Sequence, residues 1–144
     1  MTRYAVAAGL FFAVVAVASG DDVEKALKEL NGSYSLKSLS KGGQSPPEAA
    51  IKEFKGMTIK DGVMTLQIKD KEEAATLKID PTKKPAHLDL SPTTGPEKGK
   101  TFPGLYSFEK GELTIVLVED GERPKDLKAD GKDVMTLVFT KKER

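Results

Sequence analysis

Along most of this chain apolar and polar residues alternate. NGSYSLKSL carries its apolar side chains at Tyr34 and Leu36, VMTLQIK at Met64, Leu66 and Ile68, ATLKID at Ala75, Leu77 and Ile79, and AHLDLS at Ala86, Leu88 and Leu90. A period of two places each set on one face of an extended strand. MTI precedes VMTLQIK across Lys60-Asp61-Gly62, and an Asp-Gly pair between alternating segments predicts a tight hairpin. Prolines 81 and 85 bracket the next turn, FPGLYSF (102–108) meets ELTIVLV (112–118) across Glu-Lys-Gly, and DVMTLVFT closes the chain. The pattern predicts about eight strands.

Two segments have a different period. DDVEKALKEL sets Val23, Ala26, Leu27 and Leu30 at helical spacing, with Asp21 and Asp22 at the end where the helix dipole favours carboxylates; Asn31-Gly32 stops it. This predicts an amphipathic helix within 21–31. A second, shorter helix is expected after Pro46-Pro47, in EAAIKEFKG, with Ile51 and Phe54 three apart and Gly56 as terminator.

Short strands joined by turns, with no helix between successive pairs, predict an all-β fold with one or two short helices, an antiparallel meander that closes on itself or forms a sandwich. The expected architecture is an eight-stranded antiparallel up-and-down barrel over residues 32–144. Such an interior is just wide enough to be filled by side chains or to admit one small ligand. Segments 112–118 and 134–140 are apolar on both faces, so their outer side needs a cover, and the stripe of the first helix is the expected lid.

Residues 1–20 read as a cleaved export signal. Arg3 precedes an unbroken apolar run from Ala5 to Ala18, followed by small residues, with cleavage after Ala18 or Gly20. The run is short of the roughly 20 residues that span a bilayer. Removing it takes away only Arg3, which leaves a formally neutral, interspersed set of charges and no basic stripe for nucleic acid or anionic lipid. With no cysteine there is no disulfide, thiol chemistry or lipid attachment site. The expected product is periplasmic or extracellular, with no stable membrane insertion after cleavage.

Chemical motifs fall away on spacing. TTGPEKGKTF (93–102) contains Gly-Lys-Thr, but only three residues separate Gly95 from Gly99, Thr94 stands where the first glycine of a nucleotide loop belongs, and a strand pattern follows. It reads as a connection in which the two glycines supply turn conformations. In EDGERPKDLKADGKD a calcium loop starting at Asp126 would put Lys128 third and Leu137 at the closing glutamate, so a solvated loop is expected. His87 is the only histidine; with Asp89 it lies on the face opposite Leu88 and Leu90, a surface pair rather than a catalytic one. Asn31-Gly32-Ser33, formally a glycosylation acceptor, reads as a helix stop. No catalytic residue, metal ligand or cofactor is expected.

Phe102, Gly104, Tyr106 and Phe108 share one strand face, and Tyr34 opens the first strand. They form either a packed core or a pocket wall, with Gly104 leaving a gap between Phe102 and Tyr106. With the inward aliphatics Leu36, Leu66, Leu77, Leu88 and Leu137, and with Phe139, they are the candidates to line a ligand pocket. The expected function is non-catalytic binding of a small apolar molecule or lipid fragment, a hydroxyl of Tyr106 or Tyr34 orienting any polar group. The alternative is a barrel with a filled core acting through its surface on an envelope protein or polymer.

LNGSYSL, PPEAAIK, IDPTKKPAHLDLSPTTGPEKGKTFPGLYSFEKGELTIVL and GERP, in this order, resemble a family of uncharacterised exported lipocalin-like domains abundant in planctomycete bacteria. The resemblance runs from about Leu30 to the C-terminus, and its members open on Leu-x-Gly-x-Trp where this chain has Gly32-Ser33-Tyr34. In lipocalins that tryptophan closes one barrel end beneath a basic residue of the last strand. The resemblance therefore implies that Tyr34 lies near Lys141, Lys142 or Arg144 as a cation-π contact.

Overall fold

The computed structural model describes residues 20–119, 121–128 and 131–142. The export signal expected over 1–20 and the closure candidate Arg144 fall outside them, apart from the backbone of Gly20. Helix α1 (Gly20–Leu30) leads into β1 (Gly32–Lys41), followed by the short helix α2 (Glu48–Lys52) and strands β2 (Phe54–Lys60), β3 (Val63–Ile68), β4 (Lys71–Asp80), β5 (Ala86–Pro92), β6 (Phe102–Glu109), β7 (Glu112–Val118) and β8 (Val134–Lys141). Each strand pairs antiparallel with the next, and β8 returns to β1, closing the barrel. Closure leaves no strand edge unpaired, which a sheet of this many short strands otherwise has to protect.

The hairpins follow their turn residues. Asp61 and Gly62 both adopt positive φ (48° and 85°), as do Lys110 and Gly111 (51° and 80°), the backbone of a tight two-residue turn whose twist matches the flanking strands. The second expected helix is shorter than its sequence suggests. It ends at Lys52, and Phe54 and Gly56 belong to β2, where Phe54 packs its ring 6.0 Å from that of Phe139. Tertiary pairing with β3 overrides the local helical spacing at Phe54; the register shifts between Phe54 and Gly56 as the strand begins.

The two ends of the barrel differ. At one, α1 lies across the strand ends: Leu30 is buried in the core, with Val23, Ala26 and Leu27 packed against it. Asn31 is tied to the β2–β3 turn, accepting from the Asp61 backbone N–H at 2.9 Å. The helix contacts β2 and β4, so it plugs an end instead of covering the outer face of β7 and β8, where the sequence placed it. On the outside of the barrel Leu105 of β6 and Val116 of β7 are almost fully buried. The connection after β7 runs against this region: the Arg123 guanidinium donates to the Gly104 carbonyl at 2.9 Å and pairs with Asp89 at 2.8 Å. The segment read as a solvated loop is thus partly a cover, held by one long cation.

Candidate functional site

At the α1 end the interior is filled. Tyr34 is fully buried, donates its hydroxyl to the Leu30 carbonyl at 2.7 Å and meets the rings of Phe108 and Phe139 nearly edge-on, with centroids 6.4 Å away in each case. Burial pushes its hydroxyl up to about 12. Leu77 and Leu88 belong to the same packed core, and Leu36 is partly buried against it.

Among the described residues, the cation-π contact expected at Tyr34 does not form there. Lys141 is the register partner of Tyr34, but its ammonium stands 5.6 Å over the Phe108 ring and donates to the Glu29 carbonyl at 3.2 Å. Its stem occupies the space where Gly32, at φ +150°, would carry a side chain: a Cβ there would lie 2.6 Å from Lys141 Cε. Lys142 contributes its backbone N–H to Ser33 and its side chain is exposed.

The interior opens at the other end, in a cavity of about 280 Å³. Of the sequence candidates, Leu66, Phe102, Leu137 and Phe139 line it. Met64, Leu90, Pro92, Ile115, Leu117 and Met135 complete the apolar wall; Met64 and Leu90 were legible by alternation and Met135 shares the face of Leu137 and Phe139, whereas Ile115 and Leu117 lie in a strand apolar on both faces, where alternation does not tell inside from outside. Gly104 does not line the cavity. A Cβ there would run into the Val116 carbonyl oxygen and the Leu117 side chain, so the expected gap is already occupied by the neighbouring strand. Tyr106 and Phe108 instead border a shallow groove of about 470 Å³ between α1 and the β4–β5 turn. Tyr34 and Tyr106 are therefore not placed to orient a ligand in the open-end cavity; the Tyr34 hydroxyl already serves Leu30.

The mouth is acidic. Glu73, Glu97 and Glu119 are the charged residues among those lining the cavity. Glu73 faces inward on β4, in register with Leu66 and two positions before Ala75. Glu119 extends the inward face of β7 and pairs with Lys41, whose proton affinity is raised by that hydrogen bond and then by the Glu119 charge. Glu97 comes from the TTGPEKGKTF loop, which folds onto β4: Thr93 donates its N–H to the Ala74 carbonyl at 2.9 Å, and the Ala74 N–H donates to Thr94 Oγ1 at 2.9 Å. Gly95, at φ +81°, permits this approach, since a Cβ there would lie 2.9 Å from Glu73 Oε1. Glu97 Oε2 is shut off from solvent and ion-paired to Lys100 at 2.8 Å. Sequence reasoning passed over these glutamates; the one available signal was Glu73, a carboxylate on the apolar face of an alternating strand.

His87 and Asp89 lie on the outer face as expected. Asp89 is engaged by Arg123, and the imidazole is held below its ordinary pKa by burial and then by the Arg123 charge. Among the described residues no cluster of three or more metal-ligating side chains occurs. No family model matches this chain, and no curated protein or solved structure matches it.

Proposed function

We propose that this is an exported, non-catalytic binding protein of the lipocalin-like kind, which holds one small apolar molecule in its open-end cavity. The observation that carries the reading is the cavity itself: about 280 Å³, entered from solvent and walled by side chains such as Leu66, Leu90, Phe102 and Leu137. That volume is near the lower limit of roughly 300–1,000 Å³ usual for ligand sites, so the occupant is a compact molecule or a short chain end. Its affinity would come from removing apolar surface from water, at about 25 cal/mol per Å² before the cost of immobilisation. The filled α1 half supports the same division of labour, a rigid base under an open cup.

The test is direct. The purified protein is extracted with organic solvent for mass spectrometry and titrated with an environment-sensitive apolar dye, alongside Leu137→Trp, which fills the cavity. The expected result is dye binding in the wild type and at least about a tenfold loss in the variant, or about 1.4 kcal/mol. A protein that yields no extractable molecule and ignores every dye would sink the reading and favour a filled barrel that works through its surface on an envelope partner. Export is tested separately, by cell fractionation and N-terminal sequencing; a protein found only in the cytoplasm with an intact Met1 start would overturn it.

A further inference from the structure

The charge at the mouth narrows the ligand class. We propose that the molecule taken into this cavity carries a positive charge, a small apolar body ending in an ammonium, amidinium or guanidinium group that meets Glu73. The inference rests on the cavity reading above and adds the sign of the ligand's polar end.

Three observations carry it. Among the described residues, the charged groups lining the cavity are all carboxylates, those of Glu73, Glu97 and Glu119. Lys100 and Lys41 already engage Glu97 and Glu119, and Asp133 adds a further negative charge beside Lys41. Glu73 is left over. It is half-buried on the inward face of β4, across from Leu66, and its carboxylate has no hydrogen-bond or ion-pair partner among the described residues.

A carboxylate set into an apolar wall loses hydration without compensation, and the group that restores the balance is a cation arriving with the ligand. With Lys41 and Lys100 each paired to one of the three carboxylates, an anionic head would meet a net negative rim, whereas a neutral hydroxyl could donate only an uncharged hydrogen bond, weaker than one from a cation. The loop geometry fits this role. Gly95 brings the loop backbone up against Glu73, so that a Cβ there would lie 2.9 Å from Oε1, and Glu73 also lines the cavity.

The test uses three probes of one length, n-octylamine, 1-octanol and n-octanoate, near pH 7 and at low salt. Each is measured by displacement of a neutral apolar dye and by NMR shifts of cavity methyl groups. Octylamine should bind about tenfold more tightly than octanol, equivalent to about 1.4 kcal/mol, and octanoate more weakly than octanol. Glu73→Gln, which keeps the shape and removes the charge, should bring octylamine to within about twofold of octanol and leave octanol unchanged. Glu73→Lys should reverse the order in favour of octanoate.

Equal affinity for all three probes, abolished by Leu137→Trp, would overturn the charge inference and leave the cavity reading intact. Failure of every probe to bind would overturn both. An amine preference that persists in Glu73→Gln and Glu73→Lys would remove Glu73 from the role.

Discussion

Tyr34 keeps its proton where an exposed tyrosine would lose it. Burial raises its hydroxyl to about 12, and Tyr106 is likewise raised to about 12 by burial, helped by the Glu29 and Asp80 charges. In the unfolded chain both titrate near the ordinary value of about 10. The stabilisation is therefore complete below pH 10 and is lost as pH climbs from there toward 12. Ultraviolet titration of tyrosinate should show Tyr34 and Tyr106 silent in the folded protein until alkaline unfolding, while denatured protein ionises both near pH 10. Early titration of either would contradict their burial. Tyr34→Ala should cost about 3–5 kcal/mol in urea denaturation, as removal of a buried aromatic does; a loss within about 0.5 kcal/mol, the range of ordinary surface changes, would refute its closing role. Gly104 makes a complementary point. Its alternation with Phe102 and Tyr106 was readable, but whether its missing side chain leaves a pocket depends on how close Val116 and Leu117 approach. Gly104→Ala should destabilise by roughly 1–3 kcal/mol without changing dye affinity, through overpacking against β7; an unchanged urea midpoint would show the space to be free.

At the scale of elements, α1 was visible from its spacing and caps, whereas its place was not. Apolar outer faces on β7 and β8 suggested that the helix covers them, yet the helix plugs the barrel end, and the connection after β7 places Arg123 on the outside of β5 and β6. The physical reason is reach: Leu30 is one residue from the turn into β1, so α1 can only lie over the end where β1 starts. The connection that brings Arg123 to Asp89 has no periodicity by which to be recognised. Deleting residues 21–30 should cost more than the roughly 2–5 kcal/mol expected for truncating Leu30 alone, since Val23, Ala26, Leu27 and the Tyr34 acceptor go with it. Thermal and urea unfolding check this, and unchanged stability would mean that the helix does not close the barrel.

For the whole molecule, closure by β1–β8 pairing makes one cooperative shell with two unlike ends. Amides around Tyr34, Leu88 and Leu113, residues with no measurable exposure, should exchange most slowly by native-state hydrogen exchange. Those around Leu90, Met135 and Leu137 at the open end should exchange faster; the reverse order would place the rigid base at the wrong end. The eight strands, their turns and the inward set were legible in the sequence, because side-chain alternation and Asp-Gly or Lys-Gly turns are local properties of a strand and its hairpin. Local pattern also excluded a nucleotide loop in TTGPEKGKTF. Which inward residues fill the interior and which leave it open was decided only in three dimensions. It depends on where α1 ends, how closely β7 approaches Gly104 and which way Lys141 turns. The acidic mouth is the same case: Glu73, Glu97 and Glu119 lie far apart along the chain, and only the folding of the 93–101 loop onto β4 and the closure of the barrel bring their carboxylates around one opening.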